Sequence, residues 1–215
     1  MSLTASDTGG GSFTPVPPGM HRARCYRIVD TGTQRSEYDK KVSHLQKVMI
    51  QFEVHGEDDA GNPLVTPKGE PMSISKNFTL SLAEKATLRK DLQAWRGRDF
   101  TAEELRGFEL KNVLGAWCMI AVAKSLGNNG KEYTNIMSIN PVPVTIKKAG
   151  LPEGFNKLNM FVISDPDMEL FESFGKNLKE KIMNSPEWRA RDQQPAPKPG
   201  AQGSGFDDMD DDIPF

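Results

Sequence analysis

In residues 44–54, HLQKVMIQFEV, Val48, Ile50, Phe52 and Val54 alternate with Lys47, Met49, Gln51 and Glu53. Successive side chains of an extended chain point to opposite faces, so this stretch predicts a β-strand with one buried and one wet face. The period then changes. Ser81 is followed three residues later by Glu84, the spacing of a capping box, and Leu82, Leu88, Leu92 and Trp95 recur at helical spacing until Gly97 stops the helix. Thr101 with Glu104 repeats the capping pattern for a shorter helix.

Around this helix the other strand signals fall into order. MHRARCYRIVD (20–30) and SISKNFTL (73–80) predict a first and a third strand, and TGTQRSEYDKKVS (31–43) a long basic connection containing Tyr38. The Gly/Pro-rich excursion at 56–71 separates the second strand from the third. After the helix, 111–126 and 131–140 predict two strands joined by GNNG, whose residues tolerate positive φ. Three strands, a helix and a closing hairpin predict a mainly β chain with a single OB-fold: a five-stranded Greek-key barrel with a helix between strands 3 and 4.

The remainder is read as appendages. Residues 1–18 predict a flexible N-terminal lead-in, 19–146 the OB-fold nucleic-acid-binding domain, and 147–189 a connector and C-terminal helix. Pro141 and Pro143 end the sheet, and 144–163 reads as an irregular basic connector. Ser164 is expected to cap a helix over 166–183, with Pro166 early and Met168, Phe171, Leu178 and Ile182 as its apolar stripe, packed on the barrel or on a partner subunit. Residues 190–206 predict a disordered linker and 207–215 an acidic protein-docking tip.

Charge divides the same way. Of 27 basic and 29 acidic residues, five are the aspartates 207, 208, 210, 211 and 212; without them 27 stand against 24, a body of +3. A mildly basic body and an acidic end point to an anionic partner for one and a basic partner for the other. The two cysteines, Cys25 and Cys118, lie in apolar runs and are too few for a disulfide framework or, with three histidines, a zinc site. Reduced, buried thiols are expected. With no apolar leader and no stretch long enough to span a bilayer, the protein is expected to stay in the compartment where it is made.

No set of residues assembles into a catalytic constellation, so no enzymatic activity and no cofactor or metal are expected. Binding signals are better. Strands that hold single-stranded nucleic acid without reading its sequence need cations for phosphates and aromatic faces for bases. Arg22, Arg24 and Tyr26 share one face of the first strand by alternation. Arg35, Tyr38, Lys40 and Lys41 fall in the first loop, with Lys47 just beyond. Lys76 and Phe78 share a face of the third strand, and Lys131 and Tyr133 flank the last turn. Phe78 serves equally well as core, Trp117 and Trp95 are read as core, and Tyr38 with its basic neighbours is the first choice of contact.

The last three residues, Ile213, Pro214 and Phe215, give the acidic run a hydrophobic end and a terminal carboxylate, the form of a docking peptide. DDMDDDIPF resembles the C-terminal tip of the bacterial single-stranded DNA-binding protein family, aligning Asp210, Asp211, Asp212, Ile213, Pro214 and Phe215 without gaps. Residues 78–101, FTLSLAEKATLRKDLQAWRGRDFT, resemble a segment of OB-fold single-stranded DNA-binding proteins of tailed bacteriophages. The resemblance implies a protein that coats single-stranded DNA in phage replication and recombination, in the cytoplasm of a bacterial host. It also implies that the tip recruits host or phage replication, recombination and repair proteins. The insertion at 57–72 and the helix at 166–183 depart from the short cellular barrel, so its tetramer does not carry over and homo-oligomerisation stays open. An adaptor whose tail mimics the host tip without coating DNA, and an RNA-binding OB protein, are the alternatives.

Overall fold

The computed structural model describes residues 15–38, 41–127, 130 and 132–193. Six strands among them form one sheet: β1 (Gly19–Tyr38), β2 (Lys41–His55), β3 (Ser73–Thr79), β4 (Trp117–Leu126), β5 (Glu132–Asn140) and β6 (Asn159–Phe161). Their order is β3-β2-β1-β4-β5, antiparallel throughout, and β6 adds to β1 in parallel. The chain is therefore mainly β, with short helices.

The long connection expected at 31–43 is not a loop. β1 and β2 stay paired from Thr33 opposite Gln46 to Tyr38 opposite Lys41, so the first hairpin continues as a two-stranded ribbon. Thr, Ser, Tyr and Val residues along both strands favour extended backbone, and residues 39 and 40 lie outside the described residues. Two register shifts, at Cys25/Arg27 and Asp30/Gly32, bend β1 before the ribbon leaves the sheet. Gly32, at φ +68°, occupies the second; a Cβ there would lie 2.5 Å from Cβ of Ser185, so the ribbon's foot must be a glycine.

The alternating residues of β2, Val48, Ile50, Phe52 and Val54, are all buried, together with Ala23, Cys25, Ile74, Phe78, Cys118, Ile120, Val122, Ile136 and Ile139 from the other strands. Helix α1 (Thr87–Arg96) closes this core with Leu88, Leu92 and Trp95. It begins six residues after the expected cap. Ser81 instead accepts the N–H of Ala83 in a local turn, and Ala86, at the N-cap position, offers no side-chain cap. Leu82 packs beside the core from outside the helix, and Gly97 ends the helix at φ +67° as expected. The Thr101–Glu104 capping box opens α2 (Ala102–Arg106) as read from the sequence. The fourth strand is shorter than 111–126, because Leu110–Val113 is a 3-10 turn.

The other face of β2 is not wet. After α3 (Val144–Ala149), the supposed irregular connector supplies β6, and the single helix expected over 166–183 is three: α4 (Met168–Glu172), α5 (Lys176–Met183) and α6 (Pro186–Gln193). Asp167, not Ser164, caps α4 by accepting the N–H of Leu170 at 2.9 Å. α6 runs past position 190, where the linker was expected to begin. Phe161, Ile163, Phe171, Phe174, Ile182 and Trp188 pack with Val29 and Met49 into a second core, while Met168 stays exposed. Each such side chain stabilises by about 1.5–3 kcal/mol when fully buried. Alternation in β2 correctly grouped Met49 with Glu53; what covers them lies over a hundred residues away in sequence.

Candidate nucleic-acid interface

The covered face of the sheet removes several expected contacts. Arg24 and Glu53 pair across β1 and β2, and Arg24 Nη1 donates to Glu53 Oε1 at 3.0 Å. The same oxygen accepts the N–H of Phe155 at 3.0 Å and lies 3.2 Å from His55 Nε2. Oε2 accepts both the backbone N–H and the side-chain amide of Asn156, each at 2.7 Å. The Glu53 side chain is 0 % exposed. Burial alone would raise its carboxyl, but the donors from Asn156, Arg24 and His55 more than offset it and hold the group below the ordinary carboxylate range. Arg24 also donates to the Asn156 carbonyl at 3.3 Å and passes so near Gly154 that a Cβ there would sit 1.6 Å from Nη1. Its guanidinium is a fastener for the C-terminal segment, not a phosphate contact.

Three further expectations are corrected in the same way. Tyr26 sits at the first bulge of β1, buried, with the Arg27 guanidinium 5.4 Å from its ring centroid. Burial pushes its phenol up, so it is a neutral packing residue. Phe78 is 3 % exposed within the main core, and its ring offers no face to a base. Lys76 is held 2.6 Å from Asp91 of α1, with its ammonium 5.5 Å from the Phe78 ring centroid. Its charge is already paired on a half-buried face.

The remaining cations gather elsewhere. Arg35 is exposed on the ribbon beside Glu37, 2.8 Å away, and Lys41 and His44 are exposed on the opposing strand. Lys47 stands at the ribbon's foot, opposite Gly32, and donates to Thr79 Oγ1 at 2.7 Å. Tyr38 ends β1 opposite Lys41, but its side chain, like Lys40, lies outside the described residues. Arg22 lies apart from this group, half-exposed on β1 between His55 and Met119. Beside it Trp117 is half-exposed, its ring edge-on to His55 with centroids 4.9 Å apart. Tyr133 is 47 % exposed on β5. Lys131 and the tip residues Asp210, Asp211, Asp212, Ile213, Pro214 and Phe215 lie outside the described residues.

Two residues that shape this surface were not legible as such. Glu53 carried only a faint signal, an acid between Phe52 and Val54 in a strand. Lys181 of α5 carried none, yet it is half-buried and donates to Asn77 Oδ1 at 3.0 Å, on the face of β3 that also carries Thr79. Burial, and then the nearby charge of Lys47, lower its ammonium below the ordinary lysine range. Beside this pair a groove of about 430 Å³ is lined by Lys47, Asn77, Thr79, Ser81, Lys85 and Thr87 among others.

No helix among the described residues is long and apolar enough to cross a membrane. Comparison with known proteins finds no matching family model and no matching curated protein.

Proposed function

We propose that this chain is a sequence-independent single-stranded DNA-binding protein, an OB-fold that coats exposed strands during phage DNA replication and recombination. The reading is carried by the β1–β2 ribbon, which projects from the sheet and presents Arg35, Lys41 and His44 where no packing requirement accounts for them. The OB assignment is supported by the strand order β3-β2-β1-β4-β5, with β1 central, and by α1 lying between β3 and β4 in sequence and closing the core.

The burial of Arg24 and Tyr26, and of Lys76 and Phe78 beside α1, moves the proposed strand path off both faces of the sheet, onto the ribbon and its foot. Binding there is phosphate neutralisation, with Tyr38 the aromatic expected to stack on a base, and no reaction follows. The acidic end, with Phe215 last, serves partner proteins of replication, recombination and repair rather than DNA.

The test is competition at fixed salt between labelled oligo-dT and an unlabelled duplex, with a matched RNA oligomer as a third arm. The reading expects single-stranded DNA to compete at least tenfold better than duplex. Equal competition by duplex contradicts it, RNA outcompeting DNA favours an RNA-binding OB protein, and no binding by any of them favours an adaptor that works through its tail.

A further inference from the structure

We infer that Lys47 of β2 and Lys181 of α5 hold one backbone phosphate between them, so that α5 contributes a contact to the strand as well as a cover for the sheet. The inference rests on the single-stranded DNA reading. It names the subsite and adds a helix that no barrel strand supplies.

The two ammonium groups are brought together by β3. Lys47 donates to Thr79 and Lys181 to Asn77, and these two residues share a face of β3 two positions apart, a spacing of about 7 Å. Both acceptors are neutral, and each uses one of the three protons an ammonium offers, so both lysines keep donors to spare. The carboxylates of the neighbouring helices are engaged elsewhere: Glu180 with Lys176, Glu187 with Thr33, Asp91 with Lys76. No acid lines the adjoining groove, while Lys85 and the Thr79, Ser81 and Thr87 hydroxyls do. Two like charges at a half-buried site repel each other, and an anion placed between them converts that repulsion into attraction. Burial first, and the nearby charge of Lys47 second, lower the Lys181 ammonium, in keeping with the closeness of the two groups. A phosphate suits the spacing because its oxygens accept from both sides at once.

The experiment uses the full chain with K47Q, K181Q and the double variant, and K176Q as the control on the same helix. Oligo-dT is titrated across a salt series, and the lysine side-chain NMR signals are followed during addition of pyrophosphate. If one phosphate is shared, each single variant weakens oligo-dT binding by roughly fivefold, and the log–log salt slope falls by about 0.7. The double variant falls by the same 0.7, and K176Q matches the parent. A double-variant loss of about 1.4 means two separate phosphates and overturns the shared site. Unchanged binding in the variants, with lysine signals unmoved by pyrophosphate, overturns it while the DNA reading stands. If the parent ignores oligo-dT but pyrophosphate shifts both signals, and K47Q abolishes the Lys181 shift, the anion site stands and the DNA reading falls.

Discussion

Asn156 donates twice to Glu53 Oε2, through its backbone N–H and its side-chain amide, each at 2.7 Å and across 103 residues of sequence. With Arg24 on the other oxygen, this carboxylate fastens the C-terminal segment to the middle of the sheet. The C-terminal side of the second core, from Phe161 to Trp188, begins just after that attachment.

Replacing the carboxylate should release the segment. E53Q keeps the shape but turns an NH2 toward donors and leaves Arg24 without its counter-charge. A cost of about 3 kcal/mol is expected. Hydrogen exchange should show amides 155–163 losing protection before those of β4. A loss spread evenly over the sheet would mean that Glu53 supports the sheet as a whole rather than the attachment.

The same carboxyl sets an acid limit. Its folded pKa lies below the ordinary value, so its contribution is complete above the unfolded carboxylate range and is lost as pH falls through the folded value. Glu104, held at about 2 first by the Arg98 hydrogen bond and then by the N–H of Thr101, adds loss of the same sign. Urea midpoints measured from pH 7 to pH 3 should therefore fall, and fall less in E53Q. Parallel curves for the two proteins would count against the linkage.

Both thiols should be silent in the native protein. Burial pushes Cys25 up to about 12 and holds Cys118 well above the ordinary thiol range, so almost no thiolate exists at pH 8. A disulfide reagent should find two reactive groups only in denaturant. Native reaction at the rate of a free thiol would place either residue at the surface.

Core and contact residues should separate cleanly in mutants. F78A is expected to cost about 3–5 kcal/mol and lower the melting temperature, while the folded fraction keeps its affinity for oligo-dT. The double variant R35Q/K41Q should do the reverse, with stability within about 0.5 kcal/mol and weaker, less salt-sensitive binding. Paired melting curves and titrations decide between the two patterns.

Local pattern carried the strands, because alternation in β2 and the apolar run of β4 are properties of neighbours. It also carried the Gly97 stop and the Thr101–Glu104 box, which are complete within a few residues. The Ser81 cap failed for a physical reason: its hydroxyl found a nearer N–H, that of Ala83, before the helix began. What sequence could not display is the covering of β2's second face, since Glu53 and Arg24 acquire their roles from Gly154 and Asn156, far along the chain. Arg35, Lys41 and Lys47 stay accessible, and the role expected of each needs only exposure or a single neighbour. Lys181 became visible only when β3 brought it beside Lys47.

The most direct measurement is fluorescence anisotropy of labelled oligo-dT against the full chain and a form lacking residues 207–215, over a salt series and beside a matched duplex. The account predicts that the shortened form binds as tightly as the full chain or more tightly, that affinity falls steeply as salt rises, and that duplex binds at least tenfold more weakly. Duplex bound as tightly as the single strand, or no binding by either form, would contradict it.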